Sequence, residues 1–235
     1  NQIFIYLIHG GINMNYIYLE LAAFIISAAA FLRGIAKMFR KGKPMYFQLL
    51  ICSAGCFSLK ELWTIVNEIC GVSGIINVGL IGNLGCFWFM LSANYGSLDS
   101  FVDDKSCSNK KPKILALIAP AVLALCLGLF IFNSLNNNSR ANVLIPSACF
   151  IPTLAASYYS LKHLILPVDE LGFLRSTKLC NIFIIMLCIA AYVELVVLLG
   201  GSSIALSAVS VTISCLMAGL VFACERGTKI WGTLI

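Results

Sequence analysis

The chain has 235 residues, 60% hydrophobic and only 11% charged, with a mean hydropathy of +0.94, whereas a soluble domain is roughly half apolar and a quarter charged. The net charge of +6 does not point to nucleic acid, because the basic residues gather in a few short loops, as in a membrane topology signal. Eleven cysteines would suggest a disulfide scaffold in a small secreted protein, but all except Cys107 sit inside apolar segments, where free cysteine acts as a small hydrophobe.

Apolar runs recur from end to end with only short polar interruptions, so no segment is long enough to fold as a separate soluble domain. The expected fold is all-α: a single polytopic bundle of seven transmembrane helices over residues 14–235, integral to the plasma (inner) membrane, with the lipid bilayer as its first partner. Residues 1–13 are too short to span and lack the basic start of a signal peptide. They read as an outer flank or an appended remnant before Met14.

The first span covers about 16–35, with alanines at 22, 23, 28, 29 and 30 that allow close helix approach and Glu20 one turn inside. Arg33, Lys37, Arg40, Lys41 and Lys43 follow, and Pro44 is placed to open the next helix. The second span, about 45–69, is otherwise apolar but carries Lys60, Glu61, Asn67 and Glu68. A glycine-containing turn at 71–74 leads to the third span, about 75–98, whose Gly79, Gly82 and Gly85 favour tight packing while Asn77 and Asn83 need partners. The loop 99–113 brings Lys105, Lys110, Lys111 and Lys113 to the basic side.

The fourth span, about 114–132, contains Pro120, and the Asn-rich loop 133–142 carries Arg140. The fifth, about 143–161, contains Pro146 and Pro152, which should kink it. Residues 162–178 read as a cytoplasmic connection with Lys162, His163, Arg175 and Lys178, in which 164–167 and 171–174 could lie in the interface. A sixth span over about 179–199, a tight turn at 200–203 and a seventh span over about 204–223 complete the bundle. Of the sixteen bases, Arg140 falls outside, Lys60 lies deep within a span, and the other fourteen lie at or beyond the cytoplasmic ends of the spans, which sets the amino end outside and the carboxyl end in the cytoplasm.

Depth turns scattered charges into a candidate site. At the rise of an α-helix, Lys60 and Glu61 lie roughly 22–24 Å, and Glu194 roughly 22 Å, from the cytoplasmic start of their spans, while Glu20 enters roughly 6–9 Å below the outer surface. All four fall at one level, with Trp63 and Asn67 just above. Charges at such depth must pair or bind something cationic or polar. Lys60 can neutralise only one carboxylate, so Glu61 and Glu194 are the expected primary contacts of a small solute or cation, with Glu20, Trp63 and Asn67 around them. Against this stands a purely structural cluster, in which Glu20 and Glu68 are solvated at the surface and Lys60 snorkels outward.

Ser203, Ser207, Ser210 and Ser214 share one face of the seventh span, either lining a polar path or permitting close packing. The Cys52/Cys56 pair lacks the neighbouring histidines of a metal site. No cofactor or metal is indicated, and neither His9 nor His163 accompanies a catalytic motif, so an enzyme is not expected. A retinal Schiff base would need a lysine that the seventh span does not have.

Cys56-Phe-Ser-Leu-Lys-Glu before one outer turn and Cys188-Ile-Ala-Ala-Tyr-Val-Glu before another form a faint internal echo, as a duplicated three-helix unit would. In length, helix count and orientation the chain resembles the small seven-helix transporters of the sugar and vitamin type, in which two three-helix units flank a linker helix. It departs from them in lacking a Pro-Gln dipeptide and Trp-rich motifs. The stretches Ser92-Ala-Asn-Tyr-Gly-Ser-Leu-Asp-Ser-Phe-Val-Asp-Asp104 and Tyr158-Tyr-Ser-Leu-Lys-His-Leu-Ile-Leu-Pro167 resemble an uncharacterised group of bacterial seven-helix proteins, a likeness that brings no function with it. The expectation is a transporter or permease-like protein. The alternatives are a seven-helix receptor acting through a separate cytoplasmic partner protein, or a structural subunit of a membrane complex.

Overall fold

The computed structural model describes residues 14–70, 78–99, 111–135, 140–166, 172–200 and 202–232. The regular structure among them is entirely helical: α1 (Met14–Met38), α2 (Met45–Cys70), α3 (Val78–Ser92), a π-helical continuation Ala93–Asp99, α4 (Lys111–Ala116), α5 (Ile118–Ser134), α6 (Arg140–Cys149), α7 (Ile151–Ile165), α8 (Gly172–Gly200) and α9 (Ser203–Gly232). Six stretches are long and apolar enough to cross a membrane: Tyr16–Met38, Met45–Cys70, Lys111–Ser134, Val143–Ile165, Arg175–Leu198 and Ser203–Ile230. Counting α3 with its π-helical continuation gives a seventh. This is an integral membrane protein of six or seven long apolar helices.

Prolines set two of the breaks. A proline ring clashes with the carbonyl four residues back, and the chain turns at Leu117, three residues before Pro120, so that α4 and α5 form one interrupted rod. The second break falls at Phe150, with Pro152 in the first turn of α7. Pro146 lies inside α6 without ending it.

Neighbouring helices close a ring. α1 packs on α2, α2 on α3, α3 on α7, α7 on α8, α8 on α9, and α9 back on α1, while the α4–α5 rod stands outside against α7 and, more lightly, α8. Around the ring the order is thus α1, α2, α3, α7, α8, α9. Successive rods run in opposite directions along the chain, whereas α9 and α1 run parallel, with Ser207 beside Glu20 at their starts and Glu225 beside Arg33 at their ends. The Tyr16 hydroxyl donates to Glu68 Oε2 at 2.9 Å at one end, and Arg33 grips Glu225 through Nε (2.5 Å) and Nη2 (3.0 Å) at the other, basic end.

Phe47, Leu50, Ile51, Phe57, Ile184, Leu187, Met217 and Leu220 fill the interior. Lipid is as apolar as these side chains, so close packing rather than the hydrophobic effect holds such helices together. α5 shows the converse, with Leu125 65% and Phe132 71% exposed. Gly82 lets α3 cross α2 directly over Lys60: a Cβ there would lie 2.6 Å from Lys60 Cβ and 3.1 Å from the Cys56 carbonyl oxygen. Gly82→Ala should therefore force the two helices apart and destabilise by about 1–3 kcal/mol, read as a lower midpoint of thermal unfolding in detergent; an unchanged midpoint would refute this crossing.

The expected connection 162–178 needs correction. α7 runs on to Ile165 and α8 starts at Gly172, and Lys162 and His163 are buried at the end of α7. The physical reason is that their polar groups find partners inside. The His163 imidazole Nδ1 lies 3.1 Å from Asn94 Oδ1, and the Lys162 ammonium sits over the Tyr159 ring. Residues 1–13, the turn at 71–74, the greater part of the loop 99–113 and residues 136–139 lie outside the described residues, as do His9, Asn77 and Cys107.

Candidate solute site

The site is built from the stretch where α2 departs from an apolar pattern. On a helix of 3.6 residues per turn, adjacent side chains diverge by about 100°. Lys60 and Glu61 therefore face different surroundings although they are neighbours in sequence. Lys60, Trp63, Thr64 and Asn67 share one side, spaced by three, four and seven residues, and line a cavity of about 160 Å³. Glu61 is absent from its wall.

The other walls come from around the ring: Glu20 from α1, Asn83 and Phe87 from α3, Thr153 from α7, Glu194 and Leu195 from α8, and Ser210 from α9. Pro146 and Phe150, at the broken rod of α6 and α7, complete it. Five of the six residues singled out in the sequence, Glu20, Lys60, Trp63, Asn67 and Glu194, thus meet at one cavity. The sixth, Glu61, is 0% exposed and lies behind Lys60.

The Lys60 ammonium is the hub. It pairs with Glu194 Oε1, lies 2.9 Å from Glu61 Oε1 and stands 4.7 Å from the centre of the Phe57 ring. Its approach to Glu61 is an ion pair by distance only, because neither Glu61 oxygen has a partner in hydrogen-bonding geometry. Glu194 is better served: its Oε2 accepts from Asn83 Nδ2 at 3.1 Å. Glu20 accepts from the Ser207 hydroxyl through Oε1 at 2.7 Å, while its Oε2 and the Asn83 Oδ1 have no partner.

Glu20 and Lys60 are 4% and 7% exposed, so neither is solvated at the surface nor snorkelling. Glu68 is exposed and ties α2 to Tyr16. One ammonium thus stands among three buried carboxylates, and isolated ions in such a setting carry a desolvation cost of several kcal/mol each.

The chain matches no family model, no curated protein and no solved structure. The serine face of α9 is the signal that sequence reasoning left open, and it serves the site: Ser207 holds Glu20, Ser210 lines the cavity, and Ser214 is buried with an unpartnered hydroxyl. A second buried polar group escaped the sequence reading altogether. At the basic end, Asn94 Nδ2 donates to Ser160 Oγ at 3.0 Å and its Oδ1 faces His163, joining the π-helical segment to α7. The π-helical turn that places Asn94 inward has no periodic signature in the sequence.

The cysteines do not assemble into a framework. Those described are free thiols, and the buried Cys180 and Cys224 lie with their Sγ atoms 3.9 Å apart, in contact but unbonded. Among the described residues, no group of three or more His, Cys, Asp or Glu is placed to hold a metal ion.

Proposed function

We propose that this protein is a transporter or permease-like protein of seven transmembrane helices, amino end outside and carboxyl end cytoplasmic, in the plasma membrane. It binds a small polar or cationic solute in the outer half of the bundle. The observation that carries this reading is the pair of unpartnered buried acceptors, Glu20 Oε2 and Asn83 Oδ1, on residues that line the cavity. An unmade hydrogen bond in a buried site costs about 1–3 kcal/mol, which a solute bearing N–H or O–H donors would recover.

Glu194 and Glu20 are the carboxylate contacts, and Lys60 regulates the charge they present. The size of the cavity sets a limit on the solute: a cavity of about 150 Å³ takes a benzene-sized ligand, hence a molecule of about six non-hydrogen atoms. The neighbour order of the ring supports transport, since two three-helix units that rock against each other could expose a central site to either side in turn.

Thermal unfolding of the purified protein in detergent tests the reading, with ethylammonium, guanidinium, tetramethylammonium and glycerol as probes. At a hundred times its Kd, a ligand of the native state adds about 2.7 kcal/mol, or roughly 5–10 °C in the midpoint of a chain this size. Ethylammonium or guanidinium should produce such a shift, tetramethylammonium a smaller one because it has no N–H to donate, and Glu194→Gln should abolish it. If none of the four probes stabilises the protein, the solute reading is wrong.

A further inference from the structure

We propose that Glu61 is a proton-binding site, separate from the solute contacts, and that a cationic solute entering the cavity expels its proton, so that the two cations exchange. This rests on the solute reading above. The observations that carry it are the position of Glu61 and the sharing of Lys60. Glu61 is fully buried, lies outside the cavity wall, and has no hydrogen-bond partner for either oxygen. Of the three carboxylates it is the one without a hydrogen bond, and its ion pair with Lys60 is shared with Glu194. Glu194 has both the ammonium and the Asn83 amide, and Glu20 has the Ser207 hydroxyl.

The charges acting on Glu61 are Lys60 from its own helix, Glu20 from α1 and Glu194 from α8. Among the described residues, α3 brings the buried thiol of Cys86 near Lys60, and α9 presents serines. With all three carboxylates ionised, this pocket would hold three negative charges against one positive. A buried charge without compensation takes up a proton instead, and the first to do so is the carboxylate without hydrogen bonds.

Solute entry changes the count by one positive charge. An amine at Glu194 and Glu20 competes for the carboxylate that Lys60 holds, and Lys60 has a second carboxylate oxygen within 2.9 Å at Glu61. Nζ is already within reach of Glu61, and once Glu194 is taken by the solute the ammonium's undivided charge favours the ionised form of Glu61. Its O–H bond breaks and the electron pair stays on the carboxylate. The proton passes to the Lys60 amine as that group gives one of its own to water in the cavity, so one cation enters for each proton that leaves.

Isothermal titration of the wild-type protein with ethylammonium, at one pH in two buffers of different ionisation enthalpy, counts the protons released on binding. Release of about one proton per ethylammonium is expected, with affinity rising up to about tenfold per pH unit across the release window. Glu61→Gln should still bind, release none and lose the pH dependence. In the wild type, infrared difference spectra on ethylammonium addition should show the loss of a protonated-carboxyl band, a readout that needs no variant to fold. Binding without proton release, release that persists in Glu61→Gln, or no change in the carboxyl band would overturn the inference while leaving the solute site standing. No ethylammonium binding at all would instead overturn the solute reading and this inference with it.

Discussion

Lys60→Met should be among the most damaging single substitutions in this chain. It keeps the length and apolar stem of the side chain but removes the one positive charge standing among Glu20, Glu61 and Glu194. Breaking a buried ion pair from one side costs about 3–5 kcal/mol, because the surviving charge is left uncompensated. For a chain of this size, that is roughly a 6–20 °C fall in the midpoint of thermal unfolding. Lys60→Met/Glu194→Gln should recover part of the loss, since the double variant removes one orphaned carboxylate along with the ammonium. A Lys60→Met protein as stable as the wild type would mean that the carboxylates are not held by Lys60.

Gly227→Val should be nearly as severe, by packing alone. A Cβ at Gly227 would lie 2.5 Å from the Ser176 carbonyl oxygen and 2.7 Å from the Phe47 ring. The first of these is backbone and cannot rotate away, so α9 must retreat from α8 and α2 near the basic end of the ring. Overpacking of this kind costs about 1–3 kcal/mol and sometimes more. Gly128→Ala is the matched control: nothing lies within 4 Å of a Cβ there, and replacing a mid-helix glycine by alanine should stabilise by about 0.5–1 kcal/mol. Equal effects at the two positions would argue against the close approach at Gly227.

The two substitutions probe different kinds of information. Lys60 stood out in the sequence because a charge in an apolar stretch is rare and costly wherever it falls. Gly227 did not, because a glycine near the end of a helix is conspicuous only when the atoms of the opposing helix are known. The same contrast holds within the site. Glu20, Lys60, Glu61 and Glu194 could be brought to one level by counting residues along each span, since rise per residue is a local property. That Glu61 lies behind the cavity rather than on its wall depends on how α2 is rotated about its own axis. The 100° step between neighbours required only that Lys60 and Glu61 face differently, not which of them faces the cavity.

Lys162 and His163 mark the limit on the other side. Their charge and position near the end of a span placed them in a loop, and their partners, Asn94 and Tyr159, come from a π-helical segment and from within α7, neither of which has a pattern that announces such contacts.

Composition and hydropathy alone determined that the chain is helical, lives in a membrane and presents helices of spanning length, because a bilayer forbids unsatisfied backbone and so ties apolar length to helix. Only the tertiary structure decided which helices are neighbours, that α4 and α5 stand outside a ring of the others, and which carboxylates share the single ammonium. Those choices are made where small residues such as Gly82 and Gly227 let two backbones approach, and the fit of one surface to another is not written in either helix by itself.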